Sequence, residues 1–207
     1  LVIDDEVYMF GELEAYLSDK NHSDPFVHCD LNQQTPFKWY FHKFNGKSYK
    51  GGSFKGMDLT FATQDKDGYC GMLVRSIHKL DDNNKIVSTV EGPCNVVDYI
   101  LKENNSNSVK DFVEDHGIDV FKNKKLYLKK HNHGPNNTLN IYSGPRVGLT
   151  LKKDQTKAKH KYLMANYRYI VNPRLVAKYR TQMAYGLYLQ GETSNSVEQI
   201  TGVKGKK

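Results

Sequence analysis

The chain alternates polar and apolar side chains through the stretch Gly11-Glu12-Leu13-Glu14-Ala15-Tyr16-Leu17. Successive side chains of a β-strand point to opposite faces of a sheet, so the two glutamates and the tyrosine share one face. The leucines and the alanine share the other, which we predict packs on the core. The acidic face has two interpretations here. It is typical of a solvated surface, and it is also a place where chemistry could occur.

Working outward from this stretch, segments rich in β-branched and aromatic residues predict further strands. The predicted strands are Glu6–Leu17, Leu59–Thr63, Gly71–His78, Lys85–Thr89, Lys125–Lys129, Thr138–Tyr142 and Arg146–Leu151.

Helix signals are fewer. Pro93 is suited to a first helical turn, Ser108 can cap a helix that ends at Gly117, and Asn172-Pro173 can open a third. Strands that do not alternate regularly with helices indicate a mixed α+β domain. We place this domain at residues 1–192, followed by a basic, flexible tail at residues 193–207.

Composition limits the possible functions. The 207 residues carry a formal charge of +7 and a pI of about 9.1, which favours a polyanionic partner or a solvated basic surface. The three cysteines are widely spaced, which argues against a disulfide framework or a zinc ribbon and suits a reducing compartment. No apolar run approaches the roughly 18 residues of a membrane helix.

Two regions after the acidic stretch could carry chemistry. The segment His22–Asp30 places His22, Asp24, His28 and Asp30 within nine residues, which permits a metal site, an active-site loop or a turn with structural hydrogen bonds. Its spacing matches no strong zinc signature. The segment Phe44–Gly56 interleaves glycines, lysines and aromatics. Such a segment can approach phosphates and stack on bases, or it can be a flexible hairpin.

Several short motifs, in this order, resemble segments of the alkyladenine DNA glycosylase family. They are Glu12-Leu13-Glu14-Ala15-Tyr16-Leu17, Asp24-Pro25-Phe26-Val27-His28, Gln34-Thr35-Pro36, Gly56-Met57, Asp67-Gly68, Leu73-Val74-Arg75, Glu91-Gly92-Pro93, Gly144-Pro145-Arg146-Val147-Gly148 and Tyr167-Arg168-Tyr169-Ile170-Val171. The resemblance covers roughly residues 1–172. It implies a curved, mainly antiparallel β-sheet core with flanking helices.

The resemblance also implies roles for individual residues. Glu14 would activate the attacking water as general base, Arg75 would help hold that water, and the backbone carbonyl of Val147 would complete its surroundings. Tyr16 and His28 would contact a base flipped out of the stack. Such a reaction needs neither a metal nor another cofactor.

The family's DNA-contacting hairpin aligns with the region around Tyr49–Gly56. At its wedge position this sequence carries Lys55, with Phe54 and Tyr49 nearby, and Ala62 falls near an asparagine that screens purine substituents. A lysine cannot stack as an aromatic wedge does. We expect Phe54 and Ala62 to contact the substrate, and Lys47, Tyr49, Lys50 and Lys55 to contact nucleic acid.

The leading hypothesis is therefore a DNA-binding N-glycosylase that removes a damaged or alkylated purine by base flipping. We expect a monomer with no membrane partner, in a reducing intracellular compartment, nuclear or nucleoid for a DNA glycosylase. The alternatives are a non-catalytic nucleic-acid-binding module with the same fold, an enzyme on a different small nucleoside-like substrate, and a purely structural protein.

Overall fold

A computed structural model describes residues 1–61, 63, 67–130, 139–150 and 157–204, with only the backbone of residues 157–159. The described residues form eleven β-strands and five α-helices. The strands are β1 Val2–Ile3, β2 Glu6–Ser18, β3 Trp39–Phe41, β4 Lys43–Phe44, β5 Ser48–Tyr49, β6 Met57–Thr60, β7 Tyr69–Leu80, β8 Ile86–Glu91, β9 Leu126–Tyr127, β10 Ile141–Gly144 and β11 Arg168–Val171. The helices are α1 Pro93–Glu103, α2 Val109–His116, α3 Lys157–Leu163, α4 Arg180–Leu189 and α5 Ser194–Thr201.

The main sheet is antiparallel and runs in the order β10-β11-β2-β7-β6-β3. Strand β8 forms an antiparallel hairpin with β7, and β1 pairs with both β2 and β9. The sheet curls into a half-barrel, with the helices in the same domain. This confirms the α+β class and the curved, mainly antiparallel sheet.

The stretch that predicted the fold lies in the middle of this sheet. Strand β2 pairs with β7 along most of its length and with β11 through Glu12–Glu14. The register shifts twice between Phe10 and Leu13, which is a β-bulge that increases the local twist. Because β2 has a partner on both sides, its side chains are fixed by the sheet.

The main core lies where the sheet meets α1 and α2. Trp39, Ile77, Val97, Ile100 and Phe112 are fully buried there. Both helices begin where the sequence predicts. Pro93 is the first residue of α1, and Ser108 Oγ accepts a hydrogen bond from the Asp111 amide at the start of α2.

Several predicted elements differ from the structure. The predicted strand at Leu59–Thr63 is Met57–Thr60, and no helix begins at Asn172. A short 3-10 turn, Pro173–Leu175, follows that residue, and α4 starts only at Arg180. Asn172 and Tyr179 both have positive φ angles, which interrupt helical propagation. A second, smaller core forms where α4 and α5 pack near β11.

The segment after residue 193 forms α5 where the sequence suggested a flexible tail. Thr193 caps this helix by accepting a hydrogen bond from the Ser196 amide, and Val197 and Thr201 are fully buried. A short helix with few apolar residues gives a weak sequence signal, so the pattern did not predict its packing on α4. No helix in the described residues has the length and apolar character needed to cross a bilayer.

Candidate active site

The two glutamates of β2 are buried, which rules out the solvated-face interpretation. Glu12 is 2% exposed and Glu14 is 0% exposed. Arg168 of the neighbouring strand β11 contacts Glu12, and the loop after β10 contacts Glu14. Ionised carboxylates are costly to bury without partners, so the arrangement of their donors defines the site.

An amide, a hydroxyl and a guanidinium surround the Glu14 carboxylate. The Val147 amide donates to Oε1 at 2.8 Å, the Tyr16 hydroxyl donates to Oε2 at 3.0 Å, and Arg75 Nε lies 3.5 Å from Oε1. Burial raises the pKa of Glu14 above its ordinary value, although Arg75 and the Val147 amide act against the shift. A carboxylate with a raised pKa is a stronger base than an exposed one.

The contact with Val147 also explains an incorrect strand prediction. The sequence suggested a strand at Arg146–Leu151, but the structure has no strand among the described residues of this segment. The Val147 amide bonds to the Glu14 carboxylate instead of to a neighbouring strand. The resemblance assigned a role to the Val147 carbonyl, whereas the contact seen here is made by its amide.

Glu12 binds two arginines from opposite neighbouring strands. Arg75 Nε on β7 and Arg168 Nε on β11 each lie 2.6 Å from Glu12 Oε1. Arg168 is fully buried and also donates to the carbonyl of Tyr179. The two glutamates and two arginines balance each other's charge. The sequence motifs assigned no role to Arg168, although a lone arginine in the apolar segment Arg168–Val171 is a signal for a buried partner.

A second buried ion pair, between Asp24 and Arg146, lies next to Tyr16. Arg146 Nη1 lies 2.6 Å from Asp24 Oδ2, and both side chains are fully buried. Arg146 also donates to the Ala15 carbonyl, and its guanidinium carbon lies 4.5 Å from the centre of the Tyr16 ring. This cation–π contact holds the tyrosine in place.

A small cavity of about 140 Å³ adjoins the carboxylates through Tyr16. Its walls consist of aromatic, aliphatic and polar side chains from β2, the His22–Asp30 loop, the 3-10 turn Leu31–Gln34, the residue between β3 and β4, β6, β7 and the loop after β10. The lining residues are Tyr16, Phe26, His28, Gln33, His42, Asp58, Leu73 and Leu149. The resemblance placed Tyr16 and His28 around a bound base, and the structure brings both to this cavity.

One edge of the cavity is polar and hydrogen-bonded. His42 Nε2 lies 2.8 Å from Asp58 Oδ1, and Gln33 Nε2 donates to Asp58 Oδ2 at 3.1 Å. Asp58 and Gln33 are buried. None of these three residues was singled out from the sequence, because they come from separate segments that only the fold brings together.

His28 lies at the mouth of the cavity. Its ring packs edge-on against His42, with 4.5 Å between ring centres, and its Nε2 lies 3.3 Å from Lys50 Nζ. Partial burial lowers the pKa of His28 to about 4, and His42 and Lys50 act in the same direction. His28 is therefore neutral at neutral pH.

The Phe44–Gly56 segment borders a groove that meets the cavity at His28. Lys43, Lys50 and the exposed rings of Phe44 and Phe54 line this groove, and Lys47 is exposed nearby. Asp30 also lines the groove, which therefore combines two lysines and one carboxylate with aromatic surface.

Two of the residues expected to contact nucleic acid contact other parts of the protein instead. Tyr49 packs against Phe41 of the core, and Lys55 forms an ion pair with Asp98 of α1. The interleaved lysines and aromatics of this segment suggested contacts with phosphates and bases, but could not show that Tyr49 packs on the core or that Lys55 pairs with α1.

The metal-site alternative finds no support in the described residues, where no three His, Cys, Asp or Glu side chains are placed to share an ion. Within the His22–Asp30 segment, Asp24 is paired with Arg146, and His22 packs against Tyr162. Ala62 lies outside the described residues. Cys29, Cys70 and Cys94 are all free thiols.

The chain is similar to uncharacterized protein L759 of Acanthamoeba polyphaga mimivirus, with 31% identity over 194 residues. The alignment covers 88% of this chain and 85% of that protein. The chain belongs to the L759 family. No protein-family model matches the sequence. Because the alignment leaves only about 25 residues of this chain uncovered, strands β3 to β11 lie within the part shared with L759. The name of that relative states no activity, so only the geometry of the site points to a function.

Proposed function

We propose that this member of the L759 family hydrolyses the N-glycosidic bond of a nucleotide base in nucleic acid. Glu14 is the general base that activates water, and the adjoining cavity holds the base to be released. The observation that carries the proposal is the position of Tyr16. Its ring lines the cavity while its hydroxyl binds the Glu14 carboxylate. A base in the cavity would therefore lie one side chain away from the carboxylate.

The electrostatics of Glu14 suit this reaction. N-glycosidic cleavage passes through an oxocarbenium-like transition state, so a carboxylate both removes a proton from water and stabilises developing positive charge. Arg75 lies 3.5 Å from Glu14 but bonds more closely to Glu12, at 2.6 Å. This second carboxylate offsets the charge of Arg75, so Glu14 stays basic.

The groove beside the cavity suits a nucleic-acid chain. Lysines can neutralise phosphates, and the exposed rings of Phe44 and Phe54 can stack on bases. The target base must leave its stack to reach the cavity, because the bond to be cut is shielded in a duplex. DNA and an alkylated purine are the polymer and base implied by the resemblance. A monomer in a reducing, nuclear or nucleoid compartment is part of the same proposal.

A non-catalytic binding module is the second candidate, and one observation favours it. Glu14 is fully buried, and both of its carboxylate oxygens accept hydrogen bonds. Water reaches such a carboxylate only when Tyr16 or the Val147 loop shifts. A protein in which they never shift would bind a base without releasing it.

The experiment that tests the proposal is a base-release assay under single-turnover conditions. Oligonucleotides carry one alkylated, deaminated or normal base, in single-stranded and double-stranded form, and alkaline cleavage reports abasic sites. Release from at least one substrate, lost in Glu14→Gln, is the expected result. Binding of these oligonucleotides with no release from any of them would favour the non-catalytic module.

A further inference from the structure

We propose that the cavity takes a single-ring base, a pyrimidine, whose N–H or amino group donates a hydrogen bond to Asp58. This inference rests on the proposed function, because it names the base that the same site would hold. It departs from the alkylated purine implied by the resemblance. The size of the cavity and the chemistry of its walls each support it.

The cavity is small for a two-ring base. Its volume is about 140 Å³, and an apolar protein cavity of about 150 Å³ holds one benzene molecule. Sites for larger ligands usually span roughly 300–1,000 Å³. A six-membered ring fills the available space. The fused five-membered ring of a purine would have to displace a wall, and of the two leucine walls Leu73 lies on β7 whereas Leu149 belongs to a loop.

The walls match the two kinds of surface that a pyrimidine presents. Its flat faces are apolar, and the cavity offers Tyr16, Phe26, Leu73 and Leu149 to them. Its edge carries hydrogen-bonding groups, and the cavity offers the Asp58–His42–Gln33 cluster. A carboxylate oxygen has two acceptor sites, so each oxygen of Asp58 retains capacity after binding His42 or Gln33. A ligand meeting this edge must therefore present a donor.

Gly71 on β7 leaves room for this polar edge of the cavity. A Cβ atom at Gly71 would lie 2.6 Å from Asp58 Oδ2 and 3.1 Å from Gln33 Nε2. A side chain at this position of β7 would therefore displace the carboxylate and the amide together. The glycine allows both polar groups to pack against the strand, where they face the cavity from a fixed position.

Binding of free bases tests the inference without requiring catalysis. Uracil and cytosine are compared with hypoxanthine and adenine by NMR chemical-shift perturbation, using the intact chain and its Glu14→Gln variant. We expect both pyrimidines to bind at least about tenfold more tightly than either purine, a difference that corresponds to about 1.4 kcal/mol. Binding of a free base requires no bond cleavage. The result therefore stands even if the base-release assay finds no activity.

Two variants connect the preference to the cavity. Asp58→Asn, which keeps the shape but not the charge, should weaken pyrimidine binding by about tenfold or more. Leu149→Ala should enlarge the cavity and reduce the preference for one ring, whereas Leu139→Ala, a leucine outside the cavity, should not. The comparison of bases in the unaltered protein does not depend on either variant folding. Equal or tighter binding of the purines, or no binding of any of the four bases, would overturn the proposal.

Discussion

Asp24 and Arg146 form an ion pair in which both side chains are fully buried, with Oδ2 and Nη1 2.6 Å apart. The pair joins the His22–Asp30 loop to the loop after β10. Arg146 also donates to the Ala15 carbonyl and lies over the Tyr16 ring. The ion pair therefore fixes Tyr16, which links the cavity to Glu14.

We expect Asp24→Ala to destabilise the protein by about 3–5 kcal/mol, because it leaves a buried guanidinium without its counter-ion. Urea unfolding followed by circular dichroism measures this loss. Glu114→Ala is the matched control. It removes a carboxylate from an exposed ion pair with Lys110 and should produce a change too small to resolve. A loss for Asp24→Ala as small as that of the control would contradict the role of the pair.

Glu14→Gln should reduce the rate of base release by about 10²–10⁴-fold, the usual contribution of a general base. Glutamine keeps the shape and can still accept the Val147 amide, so the fold should persist. Single-turnover kinetics give the rate, and near-ultraviolet circular dichroism checks the fold. Glu6→Gln, at an exposed position of the same strand, should keep the full rate. An unchanged rate in the Glu14 variant would exclude it as the base.

The rate of base release should rise with pH through a midpoint above the ordinary glutamate value of 4.5. Burial raises the pKa of Glu14, so its protonated, inactive form persists to higher pH. The rate is therefore lost as pH falls through this raised pKa. Rates between about pH 3.5 and 8 give the midpoint. The pKa of His28 is lowered to about 4, so His28 is neutral from about pH 5 upward and His28→Gln should leave a midpoint above 4.5 unchanged. A midpoint at or below 4.5 would contradict the assignment.

Local signals in the sequence predicted several of the strands and helices, but only part of the candidate active site. Alternation in β2 placed Glu12, Glu14 and Tyr16 on one face, and the structure keeps them together. Pro93 and Ser108 marked the starts of α1 and α2, because helix ends depend on nearby residues. Arg75 was placed beside Glu14 by the resemblance, and it lies there.

The remaining contacts depend on register and loop packing, which the sequence does not specify. Arg168 meets Glu12 only because β11 pairs beside β2. The Asp58–His42–Gln33 cluster joins strand β6, the residue between β3 and β4, and the short 3-10 turn Leu31–Gln34. Burial of Glu12 and Glu14 also depends on the loop that carries Arg146 and Val147, a loop whose sequence pattern is typical of a strand.

Replacing both Lys47 and Lys50 with alanine should weaken nucleic-acid binding and its dependence on salt. Lys47 is exposed and follows Gly46, which lines the groove, and Lys50 lines the groove near His28. The slope of log K against log salt should fall by roughly one for each phosphate that a lysine no longer neutralises. Fluorescence anisotropy at several salt concentrations measures this slope.

Lys85→Ala, in the turn between β7 and β8, removes a similar charge and should leave the slope unchanged. Binding that does not respond to salt would contradict the use of this groove.

Phe54→Ala should impair base release from duplex DNA by roughly tenfold more than release from a single strand. Flipping a base out of a duplex costs a few kcal/mol, and a side chain that enters the gap recovers part of this by stacking. Lys55, at the aligned wedge position, is held by Asp98. Phe54 is 70% exposed and lines the groove, so it is the aromatic placed to enter. In a single strand the flipping cost is small, and the phenylalanine has little to recover.

Phe121→Ala, which removes a ring of 66% exposure outside the groove, should affect neither substrate. The decisive quantity is the ratio of duplex to single-strand rates under single turnover, and a ratio equal in Phe54→Ala and the unaltered protein would show that Phe54 does not enter the duplex.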